Sequence, residues 1–162
     1  MSDPAYEKAF NRTLRLLARR PRSTGELRAC LLEKAISAEI VDRVLARLSE
    51  LGYLNDEDFA YNYATSKLNV KAMGRERLRR TLVEKQVAPE TIERALEQVF
   101  DEQDEEQLCE RAVAKYLRIH GRPADAKQGR KLLAHLIRLG FSYTLAIKKV
   151  RMPITEEQEE ME

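Results

Sequence analysis

The sequence predicts an all-α protein, an elongated tandem array of three three-helix units. Three observations point there. Apolar residues recur at helical spacing nearly everywhere: Phe10, Leu14 and Leu17; Ile40, Val44 and Leu48 with Val41 and Leu45 beside them; Leu108, Ala112, Tyr116 and Ile119. Alternating strand patterns and Asn-Gly or Asp-Gly hairpin turns are missing. A stretch of nineteen residues recurs at a shift of 51, Leu27–Leu45 over Leu78–Leu96, with eight identities: Leu27/Leu78, Arg28/Arg79, Leu31/Leu82, Glu33/Glu84, Lys34/Lys85, Glu39/Glu90, Arg43/Arg94 and Leu45/Leu96.

Start and stop signals divide the chain into helices near 4–20, 24–34, 38–51, 56–71, 75–86, 89–100, 104–120, 124–139 and 143–151. Ser23-Thr24-Gly25-Glu26 reads as a capping box after Pro21. Ser37 opens the third helix, and Gly52 can take the left-handed conformation that ends it. Asn55 caps the fourth, with Asp56, Glu57 and Asp58 where the helix dipole favours acids. Gly74 breaks the chain before Arg75, and Pro89 suits a first helical turn. Gly121 with Pro123, then Gly140-Phe141-Ser142, separate the last three helices.

Those helices group into repeats at 1–54, 55–102 and 103–152, followed by an acidic flexible tail at 153–162. The third copy is weaker and lies 54 residues beyond the second: Leu82 falls on Leu136, Val87 on Phe141, Leu96 on Val150. A unit of about 50 residues buries little surface alone, so neighbours should support one another. Helices of ~15 residues are roughly 22 Å long, so three units side by side would extend over roughly 60–70 Å.

The chain has 162 residues, 43% hydrophobic and 35% charged, with 29 Lys plus Arg against 27 Asp plus Glu. That apolar fraction excludes a disordered chain. No apolar run reaches the ~20 residues that cross a bilayer, so no membrane association is expected. The N-terminus lacks the basic start and apolar stretch of a secretory signal. Cys30 and Cys109 make no disulfide or zinc framework, which suits a reducing cytoplasm.

Charge is uneven. Residues 111–151 hold eleven basic residues and one acid, Asp125, a net of +10. Acids gather at Asp101–Glu106, five in six residues, and in the last ten residues, which carry five Glu and no Lys or Arg. A basic body favours an anionic partner, nucleic acid or an acidic protein surface. The tail's five Glu would then fold back on the basic third unit and compete with that partner.

No motif supports catalysis, and no cofactor or metal is expected. His120 and His135 lack a metal-binding companion pattern, and His135 reads as a helix residue beside the core. Gly121 to Lys131 has the wrong spacing for a phosphate loop. The acid clusters follow from helix dipoles and lack EF-hand spacing. Both cysteines read as small apolar residues on helical stripes. Tyr63 shares a face with Phe59 and reads as core, whereas Tyr61 points elsewhere and stays open.

Two basic segments are candidate contacts. In Gly74–Leu82, Leu78 and Leu82 face the core, so Arg75, Arg79 and Arg80 should project outward. The second, Lys127-Gln128-Gly129-Arg130-Lys131, occupies a comparable place before Leu132. Lys148, Lys149 and Arg151 complete the set. Arginines fork onto phosphates or carboxylates. Cations at a helix N-terminus oppose the dipole, which hints at use elsewhere. The bland alternative, a solvated face with pairs such as Arg80–Glu84, stands level with it.

The repeat and certain words in it resemble the RecX family, bacterial regulators of the RecA recombinase. The words are Arg20-Pro21-Arg22-Ser23-Thr24-Gly25-Glu26-Leu27-Arg28, then Leu51-Gly52-Tyr53-Leu54-Asn55-Asp56-Glu57-Asp58-Phe59-Ala60, then Gly74 followed by Leu78, Leu82 and Lys85-Gln86-Val87. The second is the most specific, because it joins a helix stop, an apolar plug and a new cap in fixed order. The family's usual Gly in the second unit's inner turn is Gln86 here, and the tail has no family counterpart. The resemblance implies an elongated helical repeat protein bound in the groove of a RecA filament on DNA, lowering its strand exchange and ATP hydrolysis with no enzymatic activity of its own. Direct binding to single- or double-stranded DNA is the alternative reading, and a monomer is expected.

Overall fold

A computed structural model describes residues 3–159, with side chains described through Arg151. Among the described residues there are nine α-helices and no strand: α1 Pro4–Arg19, α2 Thr24–Glu33, α3 Ala38–Glu50, α4 Asp56–Val70, α5 Arg75–Glu84, α6 Pro89–Glu102, α7 Glu105–His120, α8 Ala126–Arg138 and α9 Tyr143–Glu159. The protein is an all-α helical array. The first eight helices begin and end within two residues of the sequence expectation. The helix α9 runs past the expected stop at 151, but side chains there are not described, so the acidic tail's expected behaviour lies outside the described residues.

The expected caps form. Ser23 Oγ accepts from Glu26 N–H at 3.1 Å while the Glu26 carboxylate accepts from Ser23 N–H at 3.2 Å, a complete capping box. Asn55 Oδ1 accepts from the N–H groups of Glu57 and Asp58, both at 3.1 Å. Asp104 and Asp125 cap α7 and α8 in the same way.

The second helices of the repeat, α2, α5 and α8, share one ending. Ala35, Gln86 and Gly140 sit at matching repeat positions with φ of +56°, +56° and +91°. The next residue then donates back five residues: Ile36 N–H to Leu31 O at 3.4 Å, Val87 to Leu82 and Phe141 to Leu136, both at 3.2 Å. This closure satisfies carbonyls that a helix end leaves unpaired. Gln86 thus holds the left-handed conformation that glycine adopts without strain.

The chain forms two compact units, Met1–Tyr63 with Leu82–Ala95, and Ala64–Thr81 with Leu96–Glu162. In the first, α3 packs on α1 and α2 around Leu27, Leu31, Val41, Val44 and Leu48, all fully buried. The α1 stripe is centred differently from its sequence pattern. Ala9 and Thr13 are buried, whereas Phe10, Leu14 and Leu17 pack only partly. Small residues let the helix approach closely, and the Thr13 hydroxyl donates to Ala9 O at 2.8 Å, which removes the cost of burying it. In the second unit α7, α8 and α9 pack together over Leu108, Cys109, Leu132, Leu136, Phe141 and Ala146.

Each unit contains the same junction. In the first, the N-terminus of α2 rests on the closing turn of α5. Ser23 Oγ donates to Lys85 O, and a Cβ on Gly25 would lie 2.3 Å from Gln86 O. Asp56 Oδ1 accepts from Thr24 N–H at 2.9 Å. In the second, the N-terminus of α5 rests on the closing turn of α8. Gly74 N–H donates to Leu139 O at 2.8 Å and Glu76 N–H to Gly140 O at 3.1 Å. A Cβ on Gly74 would lie 2.3 Å from Gly140 O, and Glu105 Oε1 accepts from Arg75 N–H at 3.0 Å. Gly74 therefore serves close approach as well as standing in the break between α4 and α5.

These contacts set opposite signs for three substitutions, read by urea denaturation. Gly74→Ala drives a Cβ into backbone and should cost about 1–3 kcal/mol. Gly129→Ala, inside α8 with nothing within 4 Å of the new Cβ, should gain about 0.5–1 kcal/mol. Gln86→Gly relieves the left-handed residue and should gain about 1 kcal/mol.

Candidate functional site

The candidate cations separate by local surroundings. Arg75 does not project outward: it is half-buried, with its guanidinium 4.9 Å from the Phe100 ring centre. Arg79 is also half-buried and pairs with Glu76 one turn back. Arg80 is exposed and has no partner among the described residues, Glu84 included. At the start of α8, Lys127, Arg130 and Lys131 are all exposed and have no partner among the described residues. The second basic segment therefore presents its charge, while most of the first is engaged.

Lys149 corrects the sequence reading. It is 6% exposed, and its ammonium donates to Glu110 at 2.5 Å and Glu106 at 3.3 Å on α7. It fastens α9 to α7 rather than facing a partner, because its long stem lies along the core while its head reaches the rim. Lys148 is exposed and also pairs with Glu106, at 2.9 Å. Arg151 is exposed. Hydrogen bonds from Lys148 and Lys149 hold the Glu106 carboxyl below its ordinary value, and the Glu110 bond raises Lys149.

Other perturbed groups are structural. Burial pushes the Glu26 carboxyl up, but the Arg20 hydrogen bond, the Ser23 N–H and the charges of Arg20 and Lys85 together hold it below its ordinary value. Burial pushes the Cys109 thiol up to about 11, which keeps it protonated and unreactive. Tyr63 stacks on Phe59 at 5.8 Å and lies under the Lys85 ammonium at 5.6 Å, a packed position as expected. Among the described residues no three His, Cys, Asp or Glu gather as metal ligands, and no helix is long and apolar enough to cross a membrane.

Sequence reasoning missed one arrangement. The chain's two histidines meet at one tyrosine: the Tyr116 ring lies 4.4 Å from His120 and 5.1 Å from His135, centre to centre. Grooves flank this ring group. One, of about 230 Å³, runs beside Gly121, Pro123, Gln128 and Lys131. The other, of about 220 Å³, runs beside Lys71, Arg111 and Lys115, with Val70 and Ile119 exposed along it. His135 is held below its ordinary value by burial first, then by Arg138, Lys71 and His120. Tyr116 and His120 are four residues apart, a signal the sequence offered; His135 joins only through the packing of α8 on α7.

Helical repeats with matching closing turns, matching junctions and a cationic surface define a repeat-built helical array, and comparison with known proteins narrows that class. Residues 9–48 match the RecX first three-helix domain, and residues 55–96 match the second. The regulatory protein RecX of Streptomyces coelicolor is 34% identical over 160 residues, covering 99% of this chain and 84% of that protein. That of Mycolicibacterium smegmatis is 34% identical over 157 residues, covering 94% and 83%. The chain belongs to the RecX family. Two solved structures share its fold. RecX from Lactobacillus salivarius has a TM-score of 0.80 at 20% identity, covering 94% of this chain and 96% of that one. A second regulatory protein RecX has a TM-score of 0.77 at 24% identity, covering 89% and 71%.

The α7–α9 clasp has a defined pH window. Glu106 is lowered, so its contribution is complete above 4.5 and is lost as pH falls through the lowered value. Lys149 is raised, so its contribution is complete below 10.5 and is lost only as pH rises through the raised value. Lys149→Met should lower the thermal midpoint at neutral pH by no more than about 4 °C. The difference from the parent should shrink on acidification below 4.5, followed by circular dichroism.

Proposed function

We propose that this protein binds in the helical groove of a RecA recombinase filament on DNA and lowers that filament's ATP hydrolysis and strand exchange. It acts without catalysis of its own, as a monomer in the cytoplasm. The observation that carries this reading is membership of the RecX family along nearly the whole chain. The exposed, unpaired cations of α8 supply the physical means, since a nucleoprotein filament offers phosphates and carboxylates at regular intervals. The three repeats, 1–54, 55–102 and 103–152, are the units that would meet successive filament subunits. Several weak contacts made at once give high avidity without a strong single one.

The test is the ATPase of a recombinase on single-stranded DNA, with and without the protein. A falling rate together with filament co-sedimentation supports the reading. An unchanged rate with no filament binding overturns it. Direct DNA binding is a second reading, favoured by the same unpaired cations. It predicts DNA affinity without recombinase that declines steeply with salt.

Replacing Lys127, Arg130 and Lys131 by Ala should leave the thermal midpoint nearly unchanged, because all three are exposed and none makes an ion pair or hydrogen bond among the described residues. Filament or DNA binding should weaken, and the slope of log affinity against log salt should fall by roughly 1 for each phosphate contact removed. Arg75→Ala should instead lower stability, because it uncovers Phe100.

A further inference from the structure

The ring group of α7 and α8 adjoins the α8 cation cluster at Lys131 and stands between two recesses. Tyr116 and His120 border both of them. His120 is exposed, and Tyr116, whose ring lies 4.4 Å from it, is half-buried. Lys131 lines one recess, and Lys71, Arg111 and Lys115 line the other. No carboxylate lines either. The one acid in residues 111–151, Asp125, is engaged as the cap of α8, accepting from Gln128 N–H at 2.7 Å.

We propose that this ring group and its two flanking recesses form a binding site for single-stranded nucleic acid, with the strand crossing His120 and Tyr116 and its phosphates meeting Lys131 on one side and Arg111 and Lys115 on the other. Each recess is smaller than the roughly 300–1,000 Å³ that encloses a drug-sized ligand, and suits one base or one phosphate. Stacking on aromatic faces combined with a cationic track is how proteins hold single strands without reading sequence. A duplex hides its base faces and offers nothing for the rings to meet. An acidic peptide would satisfy the cations but leave the ring faces unused. His135 is depressed by burial first, and Arg138, Lys71 and His120 add to it by disfavouring its charged form. The carbonyl ends of α4 and α7 add partial negative charge nearby, but about half a unit each against four full cations. The proposal rests on the direct-DNA reading, which it narrows to single strands at one site, and not on the recombinase reading.

The test uses the full chain, no recombinase, and a fluorescent oligothymidylate followed by anisotropy at about 50 mM salt. His120→Ala and Lys115→Ala, both at exposed positions, should each weaken binding about fivefold or more. Tyr53→Ala, at an exposed tyrosine in the other compact unit, should bind as the parent does. Ultraviolet cross-linking of an iodouracil-substituted strand should mark the peptide holding Tyr116 and His120. Unchanged affinity in both groove variants, cross-links confined to other peptides, or equal displacement by oligoglutamate would each overturn the proposal. Equal affinity for a duplex of the same length would overturn it too. A parallel recombinase ATPase assay keeps the two readings apart, because loss of strand binding with ATPase inhibition retained removes only this one.

Discussion

A helix N-terminus set against the carbonyls of another helix's closing turn, with no room for a Cβ between them, is the constraint on which the rest depends. A helix start leaves N–H groups unpaired and carries partial positive charge; a helix end leaves carbonyls unpaired and carries the opposite. Placing one against the other pairs members of both sets, by N–H to carbonyl bonds at the second junction and through the Ser23 hydroxyl at the first. The approach is possible only where the incoming residue lacks a side chain, as Gly25 does against Gln86 and Gly74 against Gly140. In each case a carboxylate at the first residue of a following helix completes the grip, Asp56 on Thr24 and Glu105 on Arg75. The same chemistry has thus been placed twice, once in each compact unit.

This geometry explains the words that carry the family resemblance. In Arg20–Arg28, Arg20 bonds Glu26 at 3.1 Å, Ser23 caps and reaches Lys85 O, and Thr24 takes Asp56. Gly25 then meets Gln86, Leu27 is fully buried, and Arg28 pairs with Asp42. Most residues of the word answer to the junction or the core. The helix stop in Leu51–Ala60 works the same way: Gly52 has φ +77° and Leu54 is 5% exposed, leaving Asn55 to cap and Asp56 to reach across. Words of this kind specify how repeats join, and they leave the outer surface unspecified.

The fold was legible because periodicity and caps are local signals. What escaped was set by tertiary angles. From sequence the two basic segments stood level, each a helix start crowded with cations that oppose the dipole. In α5 the mismatch is resolved internally, by Glu105 at the first N–H, Glu76 beside Arg79 and Phe100 beneath Arg75. In α8 it persists, with only the Asp125 cap against Lys127, Arg130 and Lys131. Nothing in the spacing of the residues distinguishes these outcomes. Ile119 likewise continues the apolar stripe of α7 yet is 62% exposed. The convergence of His120 and His135 on Tyr116 depends on the same end of α7.

The acidic patch at Asp101–Glu106 completes the electrostatic picture. By sequence it is a separate feature beside a stretch of net +10. In the fold its members are counter-ions and caps: Glu106 holds Lys148 and Lys149, Glu105 holds the start of α5, and Asp104 caps α7. The patch therefore neutralises the α9 end of the basic stretch and leaves the rest alone. Arg111 and Lys115 on α7 and Lys127, Arg130 and Lys131 on α8 are among the cations that keep no ion pair among the described residues, and they lie on the two helices that carry the ring group. A uniform basic coating would attract any polyanion equally. Gathering five unpaired cations on the two helices that carry the three rings gives the attraction a direction, and direction is what separates a binding surface from a merely soluble one.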